Sequence, residues 1–294
     1  MIIVRLTDGL GNQMFQYALG RKLAYLYSTD LKLDTNWYQG KEEYQQKRKY
    51  SLDCFNIQGE IATQQDLDFF FQKNPVHSIN SQIRTFFNLP RYKLIKNEQE
   101  YFTFDSTVFE CPRNTYLKGY WQTEKYFADI RGILLKDFSL KVAINPNCSW
   151  FIKEIKNSNS VSIHIRRGDY VSDSKLNTIH GVCSLEYYQT SIQHIKTHIN
   201  QPHFFIFSDD PQWVKDNLLI EDKTTFVSGN NLADYEDLFL MSLCQHNIIA
   251  NSSFSWWSAW LNNNPDKIVC NPQQWFAIKS RNTQDLIPEN WLKF

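Results

Sequence analysis

The second half of the chain repeats one short pattern, in which an apolar segment of strand length precedes a segment of helix length. The apolar segments are VSIHIR, HFFIFSDD, TTFV, NIIAN and KIVC, which begin at residues 161, 203, 224, 247 and 267. The segments of helix length cover residues 184–199, 211–218, 233–244 and 253–261. Repeated β–α units of this length are typical of a parallel, doubly wound sheet. The sequence therefore predicts an α/β domain here.

The first half opens with a β–loop–helix unit of the same kind. Residues 1–6 predict a strand, TDGLGNQ supplies a tight glycine loop, and a helix is predicted from about Gln13 to Tyr27. The loop would place Asn12 at the start of that helix, where helix capping is one role open to it. GLGN lacks the complete GxGxxG spacing of a dinucleotide fingerprint, so the unit predicts a close approach of the backbone without naming a ligand.

Later elements of the first half follow a less regular pattern. LKLD and TYLKGYW indicate short strands, and residues 123–138 predict an amphipathic helix. The sequence then becomes polar between residues 145 and 160, where the apolar pattern is interrupted. We therefore expect two domains, residues 1–150 and residues 151–294.

Composition excludes several classes of protein. Hydrophobic residues make up 42% and charged residues 21% of the 294 positions, which predicts a substantial core rather than disorder. The 31 basic and 31 acidic side chains cancel, so we expect no nucleic acid partner. No apolar run reaches the roughly 18 residues of a membrane span. The six dispersed cysteines have no CxxC or metal-ligand spacing, which indicates a cytoplasmic protein with at most peripheral membrane contact.

The segment VSIHIRRGDY at 161–170 is the leading candidate for a ligand site. Apolar and polar residues alternate as in a strand, and a loop is predicted from Gly168, where a strand of an open sheet would end. Ligands of such sheets bind beyond the carboxyl ends of the strands. Arg166 and Arg167 would suit a phosphate-bearing ligand, and Asp169 could hold one arginine in position. Structural salt bridges at a strand end are the alternative interpretation.

A second candidate is the segment NSSFSWWSAWL, which begins at Asn251. Asn251, Ser252 and Ser253 stand between a predicted buried strand and a predicted helix. Hydroxyl and backbone N–H groups at a helix start can bind an anion, although a plain N-cap uses the same residue types. Trp256 and Trp260 would share one helix face, for which core packing is favoured over stacking on a sugar.

Acidic residues offer further candidates. Among the acids of ADYEDLFLMSLC, Asp237 adjoins the apolar run, so we expect it to be the most buried. A carboxylate there could accept the N1–H and amino protons of guanine, or could simply stabilise the start of a helix. Asp209 and Asp210 end a predicted strand before Pro211, where helix capping is favoured over a ligand role.

The sequence predicts no metal site. The only DxD triplet, Asp66 and Asp68, falls in a predicted helix, where side chains two residues apart point in different directions. His194 and His198 have the spacing of two metal ligands, but they lack an HExxH glutamate and an obvious third ligand. We therefore expect His194 and His198 to lie on a solvated helix face.

Four segments together resemble the α-1,2-fucosyltransferases of glycosyltransferase family 11 over almost the whole chain. They are GLGNQMFQYALGRKLA near the start, YLKGYWQTEKYF at 116–127, HIRRGDY at 164–170 and NSSFSWWSAWL at 251–261. The resemblance implies an α/β fold of GT-B type, with two Rossmann-like domains facing across a cleft. It also implies that the C-terminal domain binds GDP-fucose and that the N-terminal domain lies on the acceptor side.

The resemblance also implies roles for particular residues. Arg166 would grip the β-phosphate of GDP, and His164 would lie close to the nucleotide. Asp169 would orient the arginines and Asn12 would reach the reacting sugar, so that Arg166, Asp169 and Asn12 are the candidate catalytic residues. By analogy with α-1,6-fucosyltransferases, Asp237 would read guanine. The candidate donor-binding residues are His164, Arg166, Asp237, Asn251, Ser252, Ser253 and Gln13.

The expected function is transfer of L-fucose from GDP-fucose to the 2-hydroxyl of a terminal galactose, on an oligosaccharide or a glycolipid. The resemblance implies an inverting reaction that needs no divalent metal and no other cofactor. Two alternatives stay open. One is a glycosyltransferase that uses another nucleotide-sugar donor, and the other is a non-catalytic carbohydrate-binding protein that uses the tryptophan-rich segment.

Overall fold

The computed structural model describes residues 1–42, 45, 47–72, 92–278 and 280–294, and the side chains of Asp169, Lys175 and Leu176 lie outside this description. The chain divides into two compact units. The first contains Met1–Lys141 and Thr283–Leu286, and the second contains Val142–Asn282 and Ile287–Phe294.

The first unit is built on a parallel sheet. Its strands, β1 to β5, are Ile2–Arg5, Leu31–Asp34, Glu60–Ile61, Leu94–Asn97 and Thr115–Lys118. Within the described residues the order across the sheet is β3-β2-β1-β5-β4, and these pairings are parallel. Its α-helices, α1 to α3, are Leu10–Tyr27, Gln64–Phe71 and Arg131–Asp137. β1 is the central strand of this sheet, and its residues Ile2, Ile3 and Val4 are therefore fully buried.

The second unit is built on a parallel sheet of its own. Its strands, β6 to β11, are Asn159–Ile165, Pro202–Ser208, Thr224–Phe226, His246–Ile248, Val269–Asn271 and Leu292–Lys293. Its helices, α4 to α10, are Cys148–Lys156, Gly168–Ser172, Ser174–His180, Leu185–His198, Pro211–Asn217, Asp234–Leu243 and Ser253–Leu261. Over the described part of the chain the strand order is β11-β10-β9-β6-β7-β8, with parallel pairing. The predicted doubly wound sheet is confirmed.

β6 and β7 form the centre of the second sheet. Every residue of β7 is buried, and so is β6 from Ser160 onward. The alternating sequence of β6 predicts one polar face, yet helices cover both faces of the sheet and bury that face as well. Ser162 on this face is satisfied internally, since its Oγ accepts a hydrogen bond of 2.8 Å from Asn247 Nδ2.

Packing of α4 explains why the first unit ends earlier than the sequence predicts. Cys148 and Phe151 of α4 lie in one buried cluster with Phe205 of β7 and Leu240 of α9. The helix therefore belongs to the second unit, which begins at Val142 rather than after residue 150. The polar segment 145–160, in which the boundary is predicted, instead contains this helix.

The sequence does not predict the short edge strands β3, β4 and β11, nor the two helices α5 and α6 that follow β6. Both residues of β3 and both of β11 are exposed, so they carry no buried pattern. The helix predicted over 123–138 is interrupted by 3₁₀ turns at Glu124–Tyr126 and Ala128–Ile130. Phe127 causes the interruption, because this fully buried residue adopts φ −146° and ψ 4°, outside the helical region.

Two expectations from composition concern the whole chain. No helix within the described ranges combines the length and the apolar character that crossing a membrane requires. The six cysteines, all of which the structure describes, are free thiols.

Candidate functional site

The strand order of the second unit brings the two leading sequence motifs to one crevice. From β6 the chain builds outward through β7 to β8, then returns to place β9 on the other side of β6. Such a topological switch point, at the carboxyl ends of the strands, is where open α/β sheets bind ligands. Arg166 directly follows β6, and Asn251 and Ser252 follow β9. The predicted arginine site and the predicted anion site are therefore neighbours.

Arg166 is held by a carboxylate from the adjacent strand. Its Nη1 lies 2.9 Å from Oδ2 of Asp209, which directly follows β7, and both side chains are 26% exposed. The guanidinium carbon of Arg166 also lies 5.6 Å from the centre of the Tyr170 ring. The arginine is thus fixed before any ligand arrives, and it keeps access to solvent at the crevice.

Gly168 is required by this arrangement. A Cβ atom on Gly168 would lie 2.6 Å from Oδ2 of Asp209, the atom that pairs with Arg166. The neighbouring Arg167 N–H donates a 2.8 Å hydrogen bond to the other oxygen of the same carboxylate. A larger residue at 168 would therefore displace the group that orients Arg166.

Arg167 has a structural environment that differs from that of Arg166. Its guanidinium carbon lies only 3.6 Å from the centre of the Trp213 ring, and its Nε lies 3.3 Å from Asp210 Oδ2. Asp210 also caps α8, accepting a hydrogen bond from Trp213 N. The capping role predicted for Asp210 is confirmed. The same prediction is wrong for Asp209, which pairs with Arg166 instead.

Asp169 was predicted to orient the arginines, and its side chain lies outside the described part of the structure. Its role stays a prediction. Among the described carboxylates, Asp209 and Asp210 contact the two arginines. In the sequence, Asp209 and Asp210 are recognisable only as acidic residues after a predicted strand. That strand, β7, pairs with β6 in the structure.

His164 is a buried neutral imidazole near the end of β6. It is 7% exposed, and its Nδ1 has no hydrogen-bond partner among the described residues. Burial, followed by the charge of Arg166, lowers the pKa of His164 to about 3. The ring lies 5.6 Å from that of Phe254, in the first turn of α10. His164 is therefore uncharged at neutral pH and retains an unused hydrogen-bonding atom.

The start of α10 supplies the predicted helix terminus. Ser252 is the N-cap, and its hydroxyl accepts a hydrogen bond from Phe254 N. Ser253 is the first helical residue and is only partly buried. Helix N-termini attract anions through their N–H groups and their dipole. Ser252 and Ser253 therefore stay candidates for contact with a phosphate.

Asn251 has a structural role that the sequence does not predict. It is 3% exposed, and its Nδ2 donates to the backbone oxygens of His180 and Trp275 at 3.0 and 3.1 Å. Its Oδ1 lies 3.4 Å from Sγ of Cys183. The side chain ties three loops together, and the donor-binding role assigned to it from sequence is replaced by this one.

Asp237 lies in the first turn of α9 with an unsatisfied carboxyl oxygen. Its Oδ1 is buried and has no hydrogen-bond partner among the described residues. Burial, followed by the charges of Asp234 and Glu236, raises the pKa of Asp237 to about 7. The expectation that Asp237 is the most buried of these acids is wrong. Glu236 is 3% exposed, because its carboxylate accepts hydrogen bonds from the backbone N–H groups of Asn145 and Ala233.

Two candidates from the glycine loop lie in the first unit. Gln13 is fully buried, donates to Asp8 O and Lys49 O, and accepts from Ser51 N. Its side chain joins two segments of the unit, which replaces the donor-binding role assigned from sequence. Asn12 does not cap α1, because Gly9 is the N-cap residue.

The tryptophan-rich segment belongs to the core. Trp256 and Trp257 are fully buried and Trp260 is 4% exposed. Trp256 packs against Trp291, with 5.5 Å between ring centres. The prediction of core packing is confirmed, and the sugar-stacking surface that a carbohydrate-binding protein would need from these residues is absent.

One family model matches the whole chain. The model described as Glycosyl transferase family 11 covers residues 1–294. An α-1,2-colitosyltransferase of Escherichia coli is 35% identical, over 100% of this chain and 98% of that protein. The O-antigen biosynthesis glycosyltransferase WbnK of Escherichia coli is 31% identical, over 98% of each chain. The galactoside 2-α-L-fucosyltransferase Sec1 of Mus musculus is 25% identical, over 49% of this chain and 41% of that protein.

Solved structures resemble the chain at the level of the fold. A crystal structure of the NodZ α-1,6-fucosyltransferase soaked with GDP-fucose covers 88% of this chain and 91% of its own, with 14% identity and a TM-score of 0.51. NodZ from Bradyrhizobium gives a TM-score of 0.50 in another crystal structure. The α/β fold of GT-B type that the resemblance implies is confirmed.

Proposed function

The chain belongs to glycosyltransferase family 11, and we propose that it transfers L-fucose from GDP-fucose to the 2-hydroxyl of a terminal galactose with inversion at the anomeric carbon. The observation that carries the proposal is Arg166, held by Asp209 at the switch point of the second unit. A leaving diphosphate needs a fixed cation at such a place, because negative charge develops on it as the bond to the sugar breaks.

Arg166 and the start of α10 would both contact the diphosphate. As the bond between the anomeric carbon and the β-phosphate oxygen breaks, its electron pair stays with GDP. The guanidinium of Arg166 would meet that charge with two parallel N–H groups, and the N–H groups near Ser252 and Ser253 would add to it. Asp209 reduces the reorganisation needed, because it holds the arginine before the reaction. We further propose that Asp169 assists in this orientation.

The nucleoside would be recognised by buried polar atoms that have no hydrogen-bond partner among the described residues. The buried Oδ1 of Asp237 supports binding of guanine, whose N1–H and amino group are both donors. His164 would add a neutral hydrogen bond near the nucleotide, because its pKa of about 3 keeps the ring uncharged. Asn12 of the first unit is the proposed contact with the reacting sugar.

A second candidate function is transfer of colitose. The similarity to the α-1,2-colitosyltransferase, at 35% identity over the whole chain, supports it. Colitose is fucose without the 3-hydroxyl, so the two donors differ by one hydrogen-bonding group. A site that hydrogen-bonds this hydroxyl rejects the deoxy sugar strongly, whereas an apolar site discriminates little. The relative rates with the two donors therefore separate the candidates.

The test is a matrix of donors and acceptors. GDP-fucose, GDP-colitose and a UDP-sugar are each incubated with galactose-terminated and glucose-terminated oligosaccharides, and NMR gives the linkage of each product. We expect the highest kcat/KM for GDP-fucose with a galactose terminus, and a product fucosylated at O2. Faster turnover of GDP-colitose would establish the second candidate. Linkage at another hydroxyl, or preference for a UDP-sugar, would contradict the proposal.

We propose that the reaction needs no divalent metal. Asp66, from the DxD triplet, acts locally in α2, where it forms a capping box with Thr63 and a 3.0 Å ion pair with Lys32. Burial raises the pKa of Asp66, but hydrogen bonds from Thr63 and Lys32 outweigh it and hold the pKa below its usual value. Its neighbour Asp68 accepts a hydrogen bond from Gln64.

Asp66→Ala is therefore expected to lower stability by about 1 kcal/mol through loss of its half of the capping box, and to leave kcat within about a factor of two. Activity should also persist in EDTA. Asp68→Ala is the matched control, because it removes the other carboxylate of the triplet without disturbing the capping box. Loss of turnover in either variant while the protein stays folded, or inactivation by EDTA that Mg²⁺ or Mn²⁺ reverses, would contradict metal independence.

A further inference from the structure

The loop that follows β5 adopts a strained conformation. Trp121 has φ of 58°, in the left-handed region that residues other than glycine rarely adopt. It is nevertheless fully buried, and its ring packs edge-on against Tyr126 at 5.8 Å. A conformation of this kind persists only where its surroundings hold it, and it tends to occur at functional sites.

Glu98 is the group that holds this loop. Its carboxylate, at the end of β4, accepts hydrogen bonds from the backbone N–H groups of Tyr120 and Trp121 at 2.6 and 3.1 Å. Burial raises the pKa of Glu98 to about 7, and the two N–H donors oppose that rise. A Cβ atom on Gly119 would lie 2.4 Å from Cβ of Glu98, so the loop and the carboxylate fit closely.

The loop that Glu98 holds carries Gln122, whose side chain contacts Asn12 of the glycine loop. Nε2 of Gln122 donates a 2.6 Å hydrogen bond to Oδ1 of Asn12. Gln122 is 7% exposed, whereas Asn12 is only partly buried. With its oxygen engaged by Gln122, the Asn12 amide presents its Nδ2 hydrogens on the opposite side of the group. The hydrogen bond therefore fixes the direction in which the Nδ2 donor of Asn12 points.

We propose that Gln122 is a positioning residue, which holds the Asn12 amide in the orientation in which Nδ2 donates to an oxygen of the bound sugar. This inference rests on the proposed function, in which Asn12 contacts the reacting sugar. An amide that is not held can turn over and present its oxygen instead. Two oxygens would then face each other, and the contact would become repulsive where it had been stabilising.

Two substitutions at position 122 separate positioning from simple packing. Gln122→Ala releases the Asn12 amide, which is expected to lower kcat on the order of tenfold. Gln122→Glu nearly preserves the shape but substitutes an acceptor for the donor. The new carboxylate would attract the Asn12 Nδ2 group and turn the amide over, so its loss of kcat should exceed that of Gln122→Ala. The affinity for GDP, measured by calorimetry, should change by less than about twofold in both variants.

Gln16 supplies the matched control. Gln16 is buried like Gln122 and lies on α1, the helix that carries Asn12. Its Nε2 donates a 3.2 Å hydrogen bond to Gly119 O, in the loop that carries Gln122. Among the described residues Gln16 makes no hydrogen bond to Asn12, so Gln16→Glu is expected to lower the melting temperature without lowering kcat per folded molecule. A double-mutant cycle with Asn12→Ala completes the design, since Gln122→Ala should have little further effect once Asn12 is removed.

The kcat ratios are measured as release of GDP from whichever GDP-sugar the wild-type protein consumes. A wild-type protein that consumes its donor but does not modify galactose would contradict the proposed acceptor and leave these ratios interpretable. Wild-type kcat in Gln122→Glu, or independent effects of Asn12→Ala and Gln122→Ala, would overturn the positioning role. A wild-type protein that consumes no GDP-sugar would overturn both proposals.

Discussion

Replacing Arg166 with lysine is expected to lower kcat by about 100-fold or more while the protein stays folded. Lysine keeps the positive charge but loses the planar fork that Asp209 holds and that Tyr170 faces. Because the charge on the leaving diphosphate grows toward the transition state, the loss should fall on kcat as well as on GDP affinity. Initial rates at saturating GDP-fucose and calorimetry with GDP measure the two effects separately.

The adjacent Arg167 provides the matched control. Arg167→Lys removes the stack on Trp213 and weakens the contact with Asp210, so it is expected to lower the melting temperature. Its kcat per folded molecule should stay near that of the wild type. If Arg166→Lys also turned over normally per folded molecule, Arg166 would be only a structural salt bridge. Equal losses of kcat in Arg166→Lys and Arg167→Lys would indicate that activity depends on the shape of the strand end and not on a contact between Arg166 and phosphate.

The second large effect is expected for Asp237→Asn, which should weaken GDP binding by about 100-fold. The amide replaces one acceptor oxygen with a donor that faces a donor of guanine, and hydrogen bonds to a charged group contribute about 1.5–3 kcal/mol each. Calorimetry with GDP and ADP measures the loss, which should largely abolish the preference for guanine. Asp234→Asn, an exposed position in the same turn, should retain that preference. An unchanged ratio in Asp237→Asn would exclude Asp237 from base recognition.

The raised pKa of Asp237 predicts a pH dependence of donor binding. Guanine requires the ionised carboxylate, whose pKa in the free protein is about 7. Affinity for GDP-fucose should therefore rise as the pH increases from about 6, and level off above about 8. His164 does not contribute, because its pKa of about 3 lies far below this range. The profile of Asp237→Asn should be flat, and a wild-type profile that is equally flat would contradict the assignment.

The stability of the free protein should change with pH in the opposite direction. Since the pKa of Asp237 is higher in the folded protein than in the unfolded chain, its contribution to folding is greatest at low pH. That contribution is lost as the pH rises from about 4 to about 7. The useful measurement is the stability difference between wild type and Asp237→Asn. Glu98, whose pKa burial also raises to about 7, affects both proteins equally.

The regular elements of the second unit were predictable because burial and periodicity agree there. The strand β6 alternates apolar and polar residues, β7 is a short apolar run, and helices of ordinary length separate the strands. The edge strands β3 and β11 leave no such pattern, because partner strands rather than buried side chains define them. The helix α5 was missed because Gly168 and Asp169 favour a loop locally, and the tertiary structure overrides that preference.

The candidate site was only partly predictable, because a sequence motif does not show what each side chain contacts. Arg166 and Ser252 were identifiable as residues that follow buried strands. The partner of Arg166 was not, since Asp209 becomes its neighbour only through the pairing of β6 with β7. Gln13 and Asn251 are donor-binding candidates because they belong to motifs at predicted helix starts, yet both are buried and satisfied by backbone groups.

The place of β9 in the second sheet determines when, during synthesis, a functional site can exist. The part of the chain up to α8 already carries Arg166 and Asp209, but β6 then has no neighbour on one side. An unpaired strand edge invites pairing with other chains, so this interval is when the growing chain is most open to misassembly. Emergence of β9 and α10 from the ribosome covers the edge and supplies Ser252 in one event. The open side of β6 is therefore paired, and the helix start proposed to bind the diphosphate is added, at the same late point in translation.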